Sequence, residues 1–156
     1  MPQDVKIFVI GYGNPGRLDD GLGPAFASAI ADLNISGVSV DSDYQLAVED
    51  AHAIAECDYA VFADASVEGS EPFFFKRVEP EATEGFSSHI LEPPAVMHLA
   101  QTLFHSHVKG YILGIRGYEF DAFGEHLSAK AEANLAKALA FLEPVLRERS
   151  FEKVER

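Results

Sequence analysis

The order of apolar and polar positions along the chain predicts strands and helices in alternation. Residues 5–11 form a short, almost wholly apolar run rich in β-branched side chains, which is typical of a strand covered on both faces. Residues 21–34 then carry apolar side chains at helical spacing. A strand-like alternation follows in residues 37–46, an alanine-rich helical pattern in 47–57 and a second apolar strand in 59–65. This half of the chain therefore predicts a βαβαβ unit.

The second half continues the pattern with one strand of different character. Residues 71–79 place three consecutive phenylalanines between charged neighbours, which indicates a strand near an edge of the sheet. A polar loop leads to a helix at 93–106, whose two opening prolines suit a first helical turn. Another buried strand is predicted within 108–118, and a long amphipathic helix within 127–149 has Ser128 as its expected cap.

These elements predict a three-layer αβα fold, in which a mostly parallel, twisted sheet of about five strands has helices on both faces. The length of 156 residues suits one domain, which we assign to residues 1–150, followed by a charged and frayed tail at 151–156. In such sheets, ligands bind beyond the carboxyl ends of the strands, where the winding direction of the chain reverses. If the second strand lies outside the first and the third lies on its other side, Asp19, Asp20 and Asp64 converge at that crevice.

Composition and charge narrow the classes of partner. Lys and Arg total 12 against 25 for Asp and Glu, so the formal net charge is -13. That charge opposes binding to nucleic-acid phosphates or to an anionic membrane surface. The sequence shows neither a signal-peptide pattern nor an apolar run long enough to span a bilayer, so we expect a cytoplasmic protein. The single cysteine, Cys57, excludes an internal disulfide and is expected to be a small buried side chain rather than a nucleophile.

The candidate chemistry begins in the loop GYGNPGRLDDGLG, residues 11–23. Its first three glycines match the GxGxxG spacing of a dinucleotide-binding loop, but Pro15 removes one backbone donor, and two aspartates bring negative charge to the place of a pyrophosphate. A second interpretation makes Asp19 or Asp20 a helix N-cap. In a third, one carboxylate caps the helix while the other faces the crevice to bind a cation or to move a proton.

Two further residues support the third interpretation. Asp64 ends an otherwise apolar strand, where a carboxylate serves little structural purpose unless a loop amide or a ligand uses it; a turn-forming aspartate is the alternative. His89 lies in a polar loop, which leaves its imidazole free to act as a ligand or as an acid or base. His126 can approach the crevice from a later loop. The other histidines are expected on helix faces or at the surface: His52, His98, His105 and His107.

Several motifs of this sequence occur together in one known family. Its members open with a strand, then GxGN, a short spacer, an Asp-Asp or Asp-Glu pair and a small residue at the start of a helix, which is the form of GYGNPGRLDDGLG. They carry an Asp-Ala pair at the end of a later strand, similar to Asp64-Ala65, and a histidine in a Ser/Thr-rich loop, similar to Ser87-Ser88-His89. YQLAVEDA and GIRGYEFDAFGEHLSAKAEANLAKAL also match in order. Over nearly its whole length the chain resembles the hydrogenase maturation endopeptidases, which process the large subunit of NiFe hydrogenases.

The resemblance implies a function and a set of site residues. Members of the family use one residue of the acidic pair, the strand-end aspartate and the loop histidine to engage nickel in the precursor, which by position are Asp20, Asp64 and His89. Two carboxylates and an imidazole suit a borderline divalent metal. The nickel arrives with the substrate, a hydrogenase large-subunit precursor that loses a C-terminal extension, and no nucleotide is involved. Asp19 is the candidate auxiliary residue, which would help to position the metal or a water molecule.

Two departures from the family pattern and two alternative functions stay open. Asp20 stands where some relatives have glutamate, and the stretch IRGYEFDAF lacks a proline that many relatives place there. In peptidyl-tRNA hydrolase the opening strand also runs into GLGNPG, close to GYGNPG, but that likeness covers six residues, and its tRNA substrate would meet a protein of charge -13. The other alternative is a non-enzymatic module of the same fold that binds a nucleotide or a metal.

Overall fold

The fold is built on one five-stranded sheet. A computed structural model describes residues 4–82 and 91–155 of the chain. The strands are Ile7–Tyr12 (β1), Val38–Asp43 (β2), Tyr59–Ser66 (β3), Phe73–Val78 (β4) and Lys109–Arg116 (β5). They lie in the order β2-β1-β3-β5-β4, and each neighbouring pair is parallel except β4 with β5, which is antiparallel. The predicted, mostly parallel sheet is confirmed, and the phenylalanine-rich strand does lie at an edge.

Helices cover both faces of the sheet, as predicted. They are Leu22–Leu33 (α1), Val48–Ala55 (α2), Pro93–Phe104 (α3), Ala129–Glu148 (α4) and Phe151–Val154 (α5). On one face, α1 and α4 cover a core that includes Phe26, Val61 and Leu142. On the other face, α2 and α3 cover a core around Phe62. Among the helices of residues 4–82 and 91–155, none is long and apolar enough to cross a membrane.

Strand β1 shows why the sequence of a central strand is apolar throughout. Ile7 and Val9 point into the core beneath α1 and α4, whereas Phe8 and Ile10 point into the core beneath α2 and α3. Successive side chains of a strand alternate between the two faces of a sheet, so a strand covered on both faces carries apolar residues at every position.

The strand order creates a crevice at the carboxyl ends of β1 and β3. The chain leaves β1 through α1 on one face of the sheet, and it reaches β5 after β3 through α3 on the other face. This is the reversal of winding at which parallel sheets bind ligands. The predicted arrangement of the first three strands is therefore confirmed, and it places the end of β1 beside the end of β3.

The expectation of a frayed tail at residues 151–156 is wrong. The first four of these residues form α5, which packs against the core. Phe151 has no exposed surface, and its ring stacks on those of Tyr59 and Tyr111, with centroid distances of 4.3 and 5.1 Å. Burying one phenylalanine contributes about 1.5–3 kcal/mol, which is enough to anchor a short segment that is otherwise charged.

Candidate active site

The loop that connects β1 to α1 is folded around the carboxylate of Asp20. Asp20 Oδ2 accepts a hydrogen bond from the backbone N–H of Asn14 at 2.8 Å, and Asn14 Oδ1 accepts one from the N–H of Gly16 at 2.8 Å. Gly13 has a φ of +142°, and a Cβ atom there would lie 2.2 Å from the carbonyl oxygen of Asp20. Only glycine fits this position. The loop is therefore a tight turn in which the backbone N–H of Asn14 donates a hydrogen bond to the Asp20 carboxylate.

The loop after β5 accepts backbone hydrogen bonds from the same turn. The N–H of Leu18 donates to the carbonyl oxygen of Gly124 at 2.9 Å, and the N–H of Asp19 donates to that of Glu119 at 2.9 Å. Leu18 has a φ of +52°, a left-handed conformation that costs a non-glycine residue about 1–3 kcal/mol. Leu18 begins a single turn of 3-10 helix that runs directly into α1. Contacts from a distant loop thus impose the conformation that presents Asp20.

Gly23 lets the first turn of α1 lie directly against the ends of β1 and β3. A Cβ atom at this position would lie 2.3 Å from the carbonyl oxygen of Tyr12 and 2.6 Å from that of Ala63. Any larger residue would push the helix away from the sheet. Because Asp20 immediately precedes this part of the chain, the close contact brings its carboxylate to the carboxyl edge of both strands.

Asp64 lies near the end of β3 and faces the same crevice. Its Oδ1 atom accepts a hydrogen bond from the N–H of Ala65 at 2.8 Å. Burial and, to a smaller extent, the negative charge of Asp20 raise the pKa of Asp64 to about 7, against the opposing effect of the hydrogen bond from Ala65. The structure therefore brings Asp20 and Asp64 together.

Two residues of the crevice, Tyr12 and Glu92, are absent from the site predicted from the sequence. Tyr12 is the last residue of β1, and the nearby charge of Asp64 adds to the rise that burial causes in the pKa of Tyr12. Glu92 is the N-cap of α3, and its charge adds to the rise in pKa of both Asp64 and Tyr12. The sequence does hold a signal for Tyr12, because the residue stands between the glycines of GYGN at the end of a strand that neighbours Asp64. For Glu92 the sequence holds no such signal beyond its position before two prolines.

Asp19 does not reach the crevice, which corrects its assignment as an auxiliary catalytic residue. It has no exposed surface, and its carboxylate accepts four hydrogen bonds. The donors are the N–H of Tyr118 at 2.8 Å, the N–H of Glu119 at 3.0 Å, and the N–H and hydroxyl groups of Ser128, each at 2.7 Å. Burial alone would raise the pKa of Asp19, but these bonds hold it below its ordinary value.

The acidic pair does not cap the helix that follows it. Gly21 is the N-cap of α1 and makes no side-chain capping bond. Ser128 caps α4, as predicted, because its hydroxyl oxygen accepts a hydrogen bond from the N–H of Ala131 at 3.2 Å. Since Ser128 also donates to Asp19, the Asp19 carboxylate supports the start of α4 rather than that of α1. The two neighbouring aspartates thus have separate roles: Asp19 is a structural anchor, and Asp20 faces the crevice.

His89 lies outside the described residues, so its place at the site stays a prediction. The first described residues after it are at the crevice: Leu91 forms a bridge with Leu46, beyond the end of β2, and the charge of Glu92 acts on Asp64. Within residues 4–82 and 91–155, no group of three or more His, Cys, Asp or Glu side chains is arranged to hold a metal ion. A cation bound by the two crevice aspartates would therefore need further ligands from outside the described residues.

The other candidate residues occupy different parts of the fold. Cys57 lies just before the amino end of β3, at the other end of the strand from Asp64. Its side chain is partly rather than fully buried, which corrects the expectation of a buried side chain. Burial raises the pKa of its thiol, which disfavours a reactive thiolate. His126 lines a cavity of about 240 Å³ together with Pro15 and Leu18. The remaining histidines lie within α2 and α3 or just after α3: His52, His98, His105 and His107.

The arrangement favours a cation and disfavours an anion. Two carboxylates repel each other across the crevice, and either a proton or a cation relieves that repulsion. A phosphate group would meet both negative charges, and the N–H of Asn14, the kind of amide that cradles phosphate, is already bonded to Asp20. With a pKa of about 7, Asp64 also gains or loses a proton near neutral pH. The site is therefore suited to cation binding or to proton transfer.

Comparison with known proteins identifies the fold. No model of a known protein family matches the chain, and no curated protein sequence matches it. The NiFe hydrogenase maturation protease HycI from Thermococcus kodakarensis is similar in structure, with 20% identity and a TM-score of 0.72 over 92% of this chain and 93% of that one. The hydrogenase maturating endopeptidase HybD from E. coli has 21% identity and a TM-score of 0.72 over 93% and 94%. A hydrogenase 2 maturation peptidase from a Thaumarchaeota archaeon has 18% identity and a TM-score of 0.65 over 92% and 99%. The chain therefore shares the three-layer αβα fold of these maturation proteases.

Proposed function

We propose that this protein is an endopeptidase that removes the C-terminal extension of a NiFe hydrogenase large-subunit precursor. The observation that carries the proposal is the placement of Asp20 and Asp64 at the carboxyl ends of β1 and β3, where the first turn of α1 lies against both strands. These are two of the three positions to which the resemblance of the motifs points, and they lie far apart in the sequence. The fold shared with hydrogenase maturation proteases supports the same function.

Nickel enters the proposal as part of the substrate. Asp20 and Asp64 contribute oxygen ligands, and His89 is proposed to contribute a nitrogen ligand. Such a set suits a borderline divalent ion, and an incomplete set is appropriate when the precursor provides the rest of the coordination shell. The charge of the ion offsets the carboxylate repulsion that helps to raise the pKa of Asp64. The two carboxylates would therefore engage a precursor only after it has received its metal.

The proposed chemistry is hydrolysis of a peptide bond. Asp20, Asp64 and His89 would hold the divalent ion of the precursor, which would supply polarisation of the scissile carbonyl group or activation of a water molecule. The chain orients its own part of the site before the substrate arrives, because the N–H of Asn14 bonds to Asp20 and the N–H of Ala65 bonds to Asp64. Ligands that are oriented before the substrate arrives lower the entropic cost of aligning the reacting groups.

Incubation of the purified protein with a nickel-loaded large-subunit precursor tests the proposal. Intact-mass measurement of the precursor should show the loss of a C-terminal fragment. The same precursor without nickel should keep its full mass, because the two carboxylates then have no cation to engage. A nickel-loaded precursor that stays full length in this assay would contradict the proposed function.

The same preparation separates the two alternatives. Turnover of peptidyl-tRNA would favour an esterase of the peptidyl-tRNA hydrolase type, and tight nucleotide binding in calorimetry would favour a nucleotide-binding module. We expect neither result. The net charge of -13 opposes tRNA, and the Asp20 carboxylate occupies the part of the loop in which a phosphate group would bind.

A further inference from the structure

The outer edge of β4 is open. β4 is the last strand in the order of the sheet, and within the part of the chain that the structure describes no strand pairs with its far side. The carbonyl oxygen of Pro72 accepts a hydrogen bond from the N–H of Arg116 in β5 at 3.1 Å, so Pro72 directs its backbone groups at β5. These directions alternate along a strand, so the N–H and C=O groups of Phe73, Phe75 and Arg77 point away from the sheet. Such an edge can pair with another strand.

An apolar groove follows this open edge. It has a volume of about 360 Å³ and is lined by five apolar side chains and one serine: Phe73, Phe74, Phe75, Phe141, Val154 and Ser70. The rings of Phe73 and Phe75 pack against that of Phe141 in α4, with centroid distances of 5.1 and 5.4 Å. The ring of Phe74 lies on the other face of the sheet, over Gly114. An added strand would therefore remove apolar rings on both faces from water, which favours its binding.

The sequence of β4 is complementary to an antiparallel copy of itself. In one register, outward-facing Phe73 opposes Phe75 of the copy, and Phe74 opposes its own copy at a two-fold axis. The same register brings Arg77 to the start of the copy's strand, where Glu71 is exposed. Aromatic pairs and opposite charges at facing positions of neighbouring strands both stabilise a sheet.

The neighbouring registers are less favourable. A shift by one position sets outward-facing backbone groups against groups that already face β5, so the hydrogen bonds between the strands cannot form. A shift by two positions sets Glu71 against Glu79 in one direction and against Phe75 in the other. Like charges that face each other across a strand pair are destabilising. The charges and the rings therefore select the register centred on Phe74.

We propose that the protein forms a symmetric dimer, in which the β4 strands of two copies pair antiparallel about a two-fold axis at Phe74 and join the two sheets. A two-fold interface requires a surface that is complementary to itself, because the same patch meets its own copy. The match of β4 with itself in rings and in charges selects a second copy over a strand of another protein. Since β5 stands between β4 and β3, the crevice stays open in each copy, and the inference is independent of the proposed function.

Sedimentation equilibrium of the purified protein measures the association. At about 0.15 M salt the Debye length is about 8 Å, which screens the mutual repulsion of two negative chains. The average mass should rise from 17.0 kDa towards twice that value as the concentration increases. Hydrogen exchange at the backbone N–H groups of Phe73 and Phe75 should slow over the same range. The mass of a single chain at every concentration would overturn the proposal.

Phe74→Glu tests whether β4 forms the interface. It sets two carboxylates against each other at the two-fold axis, so the dimer should be lost, while thermal unfolding shows whether the variant is folded. Phe104→Glu is the matched control, since Phe104 is 42% exposed at the end of α3, where its ring contacts His52 of α2. The control should associate as the wild type does. Wild-type affinity in Phe74→Glu, or an equal loss in Phe104→Glu, would overturn the assignment of the interface.

Two charge reversals test the register while every apolar side chain stays in place. Glu71→Arg alone and Arg77→Glu alone each set like charges against each other at both symmetric contacts, so each variant should associate about tenfold more weakly than the wild type. An equimolar mixture of the two should regain the wild-type affinity, because both contacts of the mixed dimer then pair opposite charges. A mixture that associates no more tightly than the separate variants would overturn the register and the proposal with it.

Discussion

At the scale of single residues, two neighbouring aspartates have very different surroundings. Asp19 is fully buried and accepts four hydrogen bonds, which tie the first loop to the chain after β5. Asp20 is held by one amide of its own loop, and its charge acts on Asp64 across the crevice. The first aspartate therefore sets the position of the second.

Asp19→Asn is predicted to lower the free energy of unfolding at pH 7 by about 2–4 kcal/mol, because an amide places an N–H donor among groups that are themselves donors. The pKa of Asp19 is lower in the folded protein than its ordinary value, so its contribution is present above that value and is lost as the pH falls through the folded pKa. Urea unfolding at several pH values measures this. Asp32→Asn, at an exposed position of α1, should change stability by less than about 0.5 kcal/mol. A variant at Asp19 as stable as the wild type would show that the four bonds contribute little.

Asp64→Asn is predicted to stabilise the free protein at pH 8, by on the order of 2 kcal/mol. The pKa of Asp64 is about 7 in the folded protein against an ordinary value of 3.8, so folding takes up a proton between these values. The stability of the wild type therefore falls as the pH rises from about 4 to about 7. Thermal unfolding of both proteins should differ at pH 8 and nearly coincide at pH 4. A variant that is less stable than the wild type at pH 8 would contradict the cost assigned to the buried charge.

The sequence identifies Asp20 and Asp64 as candidates, but only the resemblance to a known family, and no local pattern, separates Asp20 from Asp19. Adjacent residues of one type look alike in any local pattern, and their difference here comes from Tyr118 and Ser128, which lie about 100 positions further along the chain. Contacts at that separation depend on the complete fold rather than on a motif.

At the scale of elements, the strands and the four longer helices lie where apolar periodicity predicts them. Buried side chains recur about every 3.6 residues in the helices, whereas the central strands carry them at successive positions, so both patterns are visible in the sequence. Periodicity does not predict the short helix α5, because it buries one residue, Phe151, and a single apolar side chain has no period.

Phe151→Ala is predicted to destabilise the protein by about 3–5 kcal/mol, because it empties a fully buried site between two tyrosine rings. Chemical unfolding in urea measures the loss. Lys153→Ala is the control within the same helix, since its side chain is exposed and its removal should have little effect. If the two variants unfold at the same urea concentration, α5 is not an anchored part of the fold.

At the scale of the whole molecule, strand order rather than any motif creates the candidate site. The order β2-β1-β3 brings Tyr12 and Asp64 to neighbouring positions, and α1 delivers Asp20 to the same edge. Alternation of strands and helices predicts this class of fold, but the position of Glu92 depends on how α3 packs against the sheet. The net charge of -13 adds to the preference of the crevice for cations over anions, because a negative protein attracts cations and repels phosphates.

The measurement that bears most directly on this account is the rate at which Asp20→Asn and Asp64→Asn process a nickel-loaded precursor, with Asp32→Asn as the control. Mass spectrometry of the precursor should show rates at least about 100-fold below the wild type for both crevice variants, since removing a charge that stabilises the reacting groups costs about that factor. The control should process at the wild-type rate, and thermal unfolding should show each variant to be folded. Wild-type rates in Asp20→Asn and Asp64→Asn would contradict the claim that these two carboxylates form the active site.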